Sequence, residues 1–321
     1  MAVFTPVSTA DLSRFLSLYD LGEVRAFEGI AEGWENSNFR LETDRGRFIL
    51  TLFEKRVSEC DLPFCLGLME HLARRNFPCP APVRRRDGGE WGRLRGKPAA
   101  IVTFLEGESP AEPSPADCAE AGRALARLHR KGADFRLHRA NSMEMASWRG
   151  LLAPVVDRAD GLEAGLAAEL EAELDQLERD WPRKLPEGAI HGDFFPDNTF
   201  FRDGRLVGAF DFYFACREAF AFDLGVCLNA WCFDAENRFV RERGAALLAG
   251  YAEIAPIETD ERAALPLLAR GTALRFLLTR LKDWLDRPAD ALVTPKDPRE
   301  YLARLRFHRG VSDISDYGWT S

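Results

Sequence analysis

A chain of 321 residues, 46% of them hydrophobic, has the material for one large domain or two of ordinary size with a full core. Its 43 basic and 51 acidic side chains leave a net charge of −8, the wrong sign for a general nucleic-acid binder, although a small phosphate ligand needs only a local positive patch. The N-terminus MAVFTPVSTADLSRFL lacks the pattern of a signal peptide, no apolar stretch approaches a membrane span, and seven scattered cysteines (Cys60, Cys65, Cys79, Cys118, Cys216, Cys227, Cys232) without a C-x-x-C read as reduced thiols of a cytoplasmic protein.

From Val24 to Phe53 the pattern is strand-like: VRAFEGI, NFRLET, the turn DRGR and FILTLF, with apolar residues alternating around a glycine-containing hairpin. DLPFCLGLMEHLARRNF has helical apolar spacing and is ended by Pro78 and Pro80, and PAAIVTFLEG reads as another buried strand. The Pro-rich ESPAEPSP marks a hinge, because such composition belongs to exposed connections. Beyond it Ser114 and Pro115 make an N-cap and first turn for PADCAEAGRALARLHRKG, stopped at Gly132, and helical patterns follow over 160–180, 222–251, 260–287 and 298–308. The chain divides into residues 1–105, a small antiparallel sheet with one helix, and residues 106–321, a larger helical lobe with one hairpin. The crevice between two such lobes is where a ligand is expected.

The hairpin is IHGDFFPDNTFFRDGRLVGAFDFY, residues 190–213. TFF and LVGAF read as short strands around an Asp203-Gly204 turn, which puts Asp193, Asn198 and Asp211 at strand ends on the same side. Phosphoryl transfer asks for such a set: one carboxylate, Asp193, to take the proton of an attacking hydroxyl, and two oxygen donors, Asn198 and Asp211, to hold Mg²⁺ against the phosphates of a nucleotide. His191 is expected to pack and hold the backbone of this loop, and Asp197 to order it. His129 is read as a cation near a helix C-terminus, and Asp223 as the cap of the helix that begins FDLGVCLNAW.

HGDFFPDN resembles the catalytic loop of the aminoglycoside phosphotransferase and choline kinase superfamily, relatives of the protein kinases, whose pattern is H-G-D-x-x-x-x-N. Asp211 in AFDFY is similar to the Asp-Phe-Gly aspartate, AGRALARLHR to the helix preceding the substrate region, and GWENSNFRL to the nucleotide loop G-x-x-N-x-x-[FY]-x-[VL]. The resemblance implies an α+β, protein kinase-like two-lobe fold with ATP and Mg²⁺ as cofactors. It also implies Gly33, Asn36, Ser37 and Asn38 as phosphate contacts, and a part for Asp223 in buttressing the catalytic loop. Within the superfamily AEGWENSNF, FILTLFEKR, DLPFCLGLMEHLARR and RFLLTRLKDW are most similar to bacterial homoserine kinases, which implies L-homoserine as acceptor.

One departure from the kinase pattern is plain. Where the third strand of a protein kinase carries the lysine of V-A-I-K, this chain has Thr51, and the helix glutamate that would pair with it is also missing, with Pro63 and Phe64 in its place. Losing both is consistent, since either charge alone in the cleft is costly. Lys55 and Arg56 are the substitutes within reach. An amino-acid acceptor needs a cation for its carboxylate, with Arg275, Arg280 and Lys282 as candidates, and an acceptor for its ammonium, with Asn229 and Asp234 as candidates; Trp231 and Trp284 read as core or pocket wall. An aminoglycoside, choline or methylthioribose as acceptor, or a nucleotide-binding pseudokinase, are the rival readings.

Overall fold

In the computed structural model, residues 4–30, 36–54, 57–287 and 295–320 are described. Helix α1 (Thr9–Leu16) precedes strands β1 (Val24–Gly29), β2 (Asn36–Thr43) and β3 (Gly46–Phe53), helix α2 (Leu62–Arg74), and strands β4 (Gly92–Leu94) and β5 (Lys97–Thr103). The strands form one antiparallel sheet in the order β1-β2-β3-β5-β4. Period-two alternation gives it two buried faces. Phe39, Leu41, Phe48, Leu50, Leu52, Ala99 and Ile101 pack with Leu12 and Phe15 of α1, while Ile49, Phe53, Ala100 and Val102 turn toward α2. Helix α1 and the short β4 were not anticipated from the sequence; Ser8 caps α1 by accepting from Asp11 N at 3.1 Å.

The second lobe contains α3 (Pro115–Gly132), the short α4 (Trp148–Leu152) and α5 (Val156–Ala159), α6 (Leu166–Asp180), strands β6 (Glu187–Ile190), β7 (Thr199–Arg202), β8 (Arg205–Ala209) and β9 (Cys216–Ala219), and helices α7 (Phe220–Trp231), α8 (Arg241–Ala252), α9 (Thr259–Leu285) and α10 (Arg299–Arg309). A full capping box, Ser114 with Asp117, starts α3. The single helix expected over 222–251 is two helices. Asp234 breaks it, because its carboxylate accepts from the backbone N–H groups of Glu236 and Arg238 and so offers the chain a turn in place of a helix. Helices α3 and α8 cross in backbone contact: a Cβ on Gly122 would run into Leu247 O, and one on Gly250 into Ala119 O.

The two lobes share apolar contacts. Leu62, Phe64, Cys65, Leu66, Leu68, Met69 and Leu72 of α2 join one cluster with Leu125 and Leu128 of α3, Phe194, Phe212 and Leu224. The Pro-rich hinge is pinned rather than free at its start, where Glu108 and Phe201 exchange both backbone hydrogen bonds, at 3.1 and 2.8 Å. None of the described helices is long and apolar enough to cross a membrane.

Candidate active site

Strand β6 delivers the chain to Ile190, and the loop that follows is fastened at both ends. Thr199 pairs with Ala209 in the β7–β8 hairpin, and Phe210 N donates to Asn198 O at 3.0 Å, so Asn198 and Asp211 lie at the same open end, one residue out of register. The Asn198 amide nitrogen donates to the backbone oxygen of Asp193 at 2.9 Å and to its carboxylate at 3.0 Å. The three residues read from spacing are thus brought together. Asp211 sits at φ +64°, a left-handed conformation uncommon outside glycine and often retained at functional sites.

Behind the loop lies Asp223, wholly buried. Its carboxylate accepts from His191 N (2.8 Å), Gly192 N (2.9 Å) and His129 Nε2 (3.1 Å), and His129 Nδ1 meets the Tyr251 hydroxyl at 2.8 Å. Burial alone would push the Asp223 carboxyl up, but the hydrogen bond and charge of His129, with His191, hold it below the usual carboxylate range. Asp223 therefore does not cap α7, whose N-cap is Ala219; it buttresses the loop. His129, in the last turn of α3, has its ring buried and aimed at Asp223 rather than at the helix end. His191 accepts from Asp193 N through Nδ1 (3.3 Å), which leaves Nε2–H to donate to Phe210 O (3.0 Å); burial pushes this imidazole down to about 4, so it is a neutral brace. Gly192, at φ +74°, admits no side chain, for a Cβ would lie 2.8 Å from Phe214 O.

On the sheet side, Thr51 donates to Asn38 Oδ1 at 2.8 Å, and the Tyr213 ring meets Phe53, two residues along the same strand, edge-on at 4.9 Å. Where a kinase lysine would stand, a neutral Asn38–Thr51 pair sits on the sheet, and the Phe53–Tyr213 ring contact links that strand to the turn that follows Asp211. Asn36 shares that face, accepting from Glu54 N at 3.3 Å. Ser37 does not: strand alternation turns it to the α1 side, where its hydroxyl accepts from Phe4 N and Thr5 N and donates to Glu54, so its side chain is not a phosphate contact. Glu54 is also paired with Lys97 on that outer side. Gly33, Lys55 and Arg56 lie outside the described residues.

Arg139 was missed, since residues 133–147 carry no periodic pattern. Its guanidinium donates to Tyr213 O (2.7 Å) and Ala215 O (2.8 Å) and pairs with Asp61, the residue ahead of α2, at 3.1 Å. Arg139 thus bridges the residue ahead of α2, through an ion pair, to the segment after Asp211, through two backbone carbonyls.

The acceptor candidates divide sharply. Asn229 is not available: its amide nitrogen donates to Gly225 O, Ala269 O and Thr272 Oγ1, its oxygen faces His308 Nε2 at 3.2 Å, and it is fully buried. Asp234 is spent on the 234–238 turn and on Arg238, and Lys282 pairs with Asp286 at the exposed end of α9. Arg275, by contrast, faces the loop, and Arg280 turns toward α10. Arg275 donates to Gly192 O at 3.1 Å and is in electrostatic contact with Asp193; burial lowers its pKa, against the pull of that carboxylate. Arg280 pairs with Glu300 at 2.5 Å and lies over Tyr301. Tyr301 and Arg304 of α10 were missed because they belong to a helix that only tertiary packing brings here. Trp231 is core, its Nε1 donating to Phe194 O at 2.7 Å, and Trp284 is half-buried. Asp197 is exposed and 3.6 Å from Lys296.

Among the described residues no three His, Cys, Asp or Glu side chains converge on a common point. The donors at the hairpin end are the Asp211 carboxylate and, because its nitrogen is turned to Asp193, the oxygen of Asn198. Two hard oxygens fit a Mg²⁺ ion that takes its remaining ligands from phosphate and water, and do not fit a zinc site.

A small antiparallel sheet joined to a helical lobe, with H-G-D-x-x-x-x-N and a second aspartate at the junction, defines a protein kinase-like phosphotransferase. The model of the phosphotransferase enzyme family matches residues 26–257, and the chain belongs to that family. It is 57% identical over 318 residues to the homoserine kinase of Methylobacterium radiotolerans and 55% identical over 318 residues to that of Parvibaculum lavamentivorans, covering 99% of both chains in each case. Among solved structures, an amicoumacin kinase in complex with AMP-PNP and Ca²⁺ shares the fold at a TM-score of 0.71 and 14% identity, over 96% of this chain and 93% of that one. A spectinomycin phosphotransferase in complex with ADP does so at 0.67 and 12%, over 98% of both chains.

Proposed function

We propose that the protein transfers the γ-phosphoryl group of ATP to the side-chain hydroxyl of L-homoserine, giving O-phospho-L-homoserine for threonine biosynthesis. The observation that carries the chemistry is the clamp of Asn198 on Asp193, with Asp211 just past the end of the facing strand. Full-length similarity to homoserine kinases carries the acceptor.

In this reading Asp193 orients the acceptor hydroxyl and takes its proton as the oxygen bonds to the γ-phosphorus and the bond to the β-phosphate oxygen breaks, releasing ADP. Asn198 and Asp211 are the residues that would hold Mg²⁺, and the ion would offset charge on the phosphates. Asp223, His191 and His129 hold the loop, Asn36, Asn38 and Thr51 are the nucleotide-side residues, and Gly33 is a further nucleotide contact of this reading. Residues 1–105 serve as the nucleotide lobe, residues 106–321 as the catalytic and acceptor lobe, and the cytoplasm is the compartment. The three guanidiniums of Arg275, Arg280 and Arg304 near the loop count against choline or a polycationic aminoglycoside as acceptor.

An ADP-release assay across L-homoserine, choline, methylthioribose and kanamycin tests the reading. Only L-homoserine is expected to accelerate release, and Asp193→Ala is expected to abolish it while nucleotide binding persists. Ordinary turnover by Asp193→Ala would remove the assignment of the base.

A further inference from the structure

Next to Asp193 stands a group of side chains that phosphoryl transfer leaves unemployed. Helix α9 supplies Arg275, Phe276 and Arg280, and α10 supplies Tyr301 and Arg304. The rings of Phe276 and Tyr301 lie 5.0 Å apart, and Phe195 of the catalytic loop closes on Phe276 at 5.1 Å. The Arg280 and Arg304 guanidiniums both sit over the Tyr301 ring, at 4.4 and 4.6 Å, and Arg275 sits over Phe276 at 4.2 Å. Tyr301 is within electrostatic reach of Asp193 and of all three arginines.

The charges here do not cancel. Arg280 is paired with Glu300, yet among the described residues no carboxylate forms an ion pair with Arg304, whose terminal nitrogens donate to the neutral oxygens Asn229 O (2.7 Å) and Asn237 Oδ1 (3.5 Å). The Tyr301 hydroxyl, Arg275 Nε and Arg304 Nε are buried without a hydrogen-bond partner. Buried donors rarely stay unmet, and three of them around an aromatic floor describe a place for something that brings acceptor oxygens and negative charge. Asp193, Phe195, Phe276 and Arg280 are each only partly covered, so the group is not sealed from solvent.

We propose that Arg280 and Arg304, with the Tyr301 hydroxyl and Arg275 behind them, form the subsite for the α-carboxylate of the acceptor, and that this contact aims its distal hydroxyl at Asp193. The inference rests on the amino-acid alcohol reading of the function and adds the residues that select for it.

Two alcohols separate the ideas: L-homoserine, and 3-aminopropan-1-ol, which is the same molecule with hydrogen in place of the carboxylate. The native enzyme is expected to prefer homoserine strongly in kcat/KM. Arg280→Gln is expected to shrink that preference by about 10- to 100-fold, the scale of one or two charge-assisted hydrogen bonds, chiefly through KM for homoserine, and Arg280→Lys to recover part of it. Thermal melting checks the folding of both variants. An independent arm uses the unaltered enzyme: L-2-aminobutyrate, which keeps the carboxylate but lacks the hydroxyl, is expected to compete with homoserine, and propylamine is not. Equal losses of Arg280→Gln on both alcohols, or equal inhibition by the two amines, would overturn the subsite while leaving the kinase intact. Native enzyme that phosphorylates 3-aminopropan-1-ol and ignores homoserine would overturn the acceptor itself.

Discussion

Replacing Asp223 by asparagine alters one atom and removes one charge behind the catalytic loop. Three donors converge on the carboxylate, with His191 N and His129 Nε2 on one oxygen and Gly192 N on the other. A carboxamide keeps a single acceptor oxygen. Its better orientation serves His191 and His129 and sets an NH₂ against Gly192 N–H, two buried donors facing each other. The loss is one charge-assisted bond, about 1.5–3 kcal/mol, plus about 1–3 kcal/mol for groups left unmet. A total of roughly 3–5 kcal/mol is a large part of a domain's ~5–15 kcal/mol, and is expected to lower Tm by on the order of 10 °C. Urea unfolding followed by tryptophan fluorescence measures the first quantity. Turnover, read by ADP release well below the melting transition, is expected to fall about 100-fold, because the buttress sets the placement of Asp193 and a shift of about 1 Å has that effect. A variant with native unfolding midpoint and turnover within threefold of the parent would refute the view that this carboxylate shapes the loop.

Acid should weaken the fold through two buried imidazoles: burial holds His191 at about 4 and His308 at about 3, both below the ~6.5 of an exposed imidazole. Between those values the unfolded chain binds more protons, so stability present at pH 7 falls as pH drops below about 6.5, by roughly 1.4 kcal/mol per pH unit for each histidine. Tm measured from pH 7.5 to 4.5 is expected to show this slope, and His308→Gln to flatten it. Gly192→Ala forces a side chain into a left-handed residue against Phe214 O; a cost of about 1–2 kcal/mol and a fall in kcat exceeding any change in KM for ATP are expected from melting and steady-state kinetics. Arg139→Gln severs Asp61 from the carbonyls of Tyr213 and Ala215, and calorimetry with a non-hydrolysable nucleotide and Mg²⁺ is expected to show weaker binding by about 10-fold.

What could be read from the sequence was what is local. Alternation in NFRLET and FILTLF specified a hairpin whose register runs unbroken from Asn36↔Phe53 to Thr43↔Gly46. The spacing from Asp193 to Asn198, and the tight turn at Asp203-Gly204, put the loop and Asp211 at one end of β7–β8 because two short paired strands permit little else. Illegible were partnerships between distant residues. His129 and Asp223 stand 94 positions apart, and Arg139 and Asp61 stand 78 apart, so no window of sequence contains either pair. Asn229 misled for a related reason. A lone amide on an apolar helix looks like a ligand group until α9 and α10 arrive to satisfy every one of its atoms. Ser37, set between Asn36 and Asn38, differs from them only in the face it takes, and strand parity alone would have separated it.

The bare crossing of α3 and α8 carries the chemistry farther from the crevice than its position suggests. Gly122 and His129 lie on one helix, two turns apart, while Gly250 is next to Tyr251 on the other, and Tyr251 and His129 meet across that seam. The gap between two rods is thereby the gauge that sets how tightly an imidazole is pressed toward the buttress. A methyl group wedged at either glycine would prise the rods apart and register first as a slower kinase, although it touches nothing that reacts.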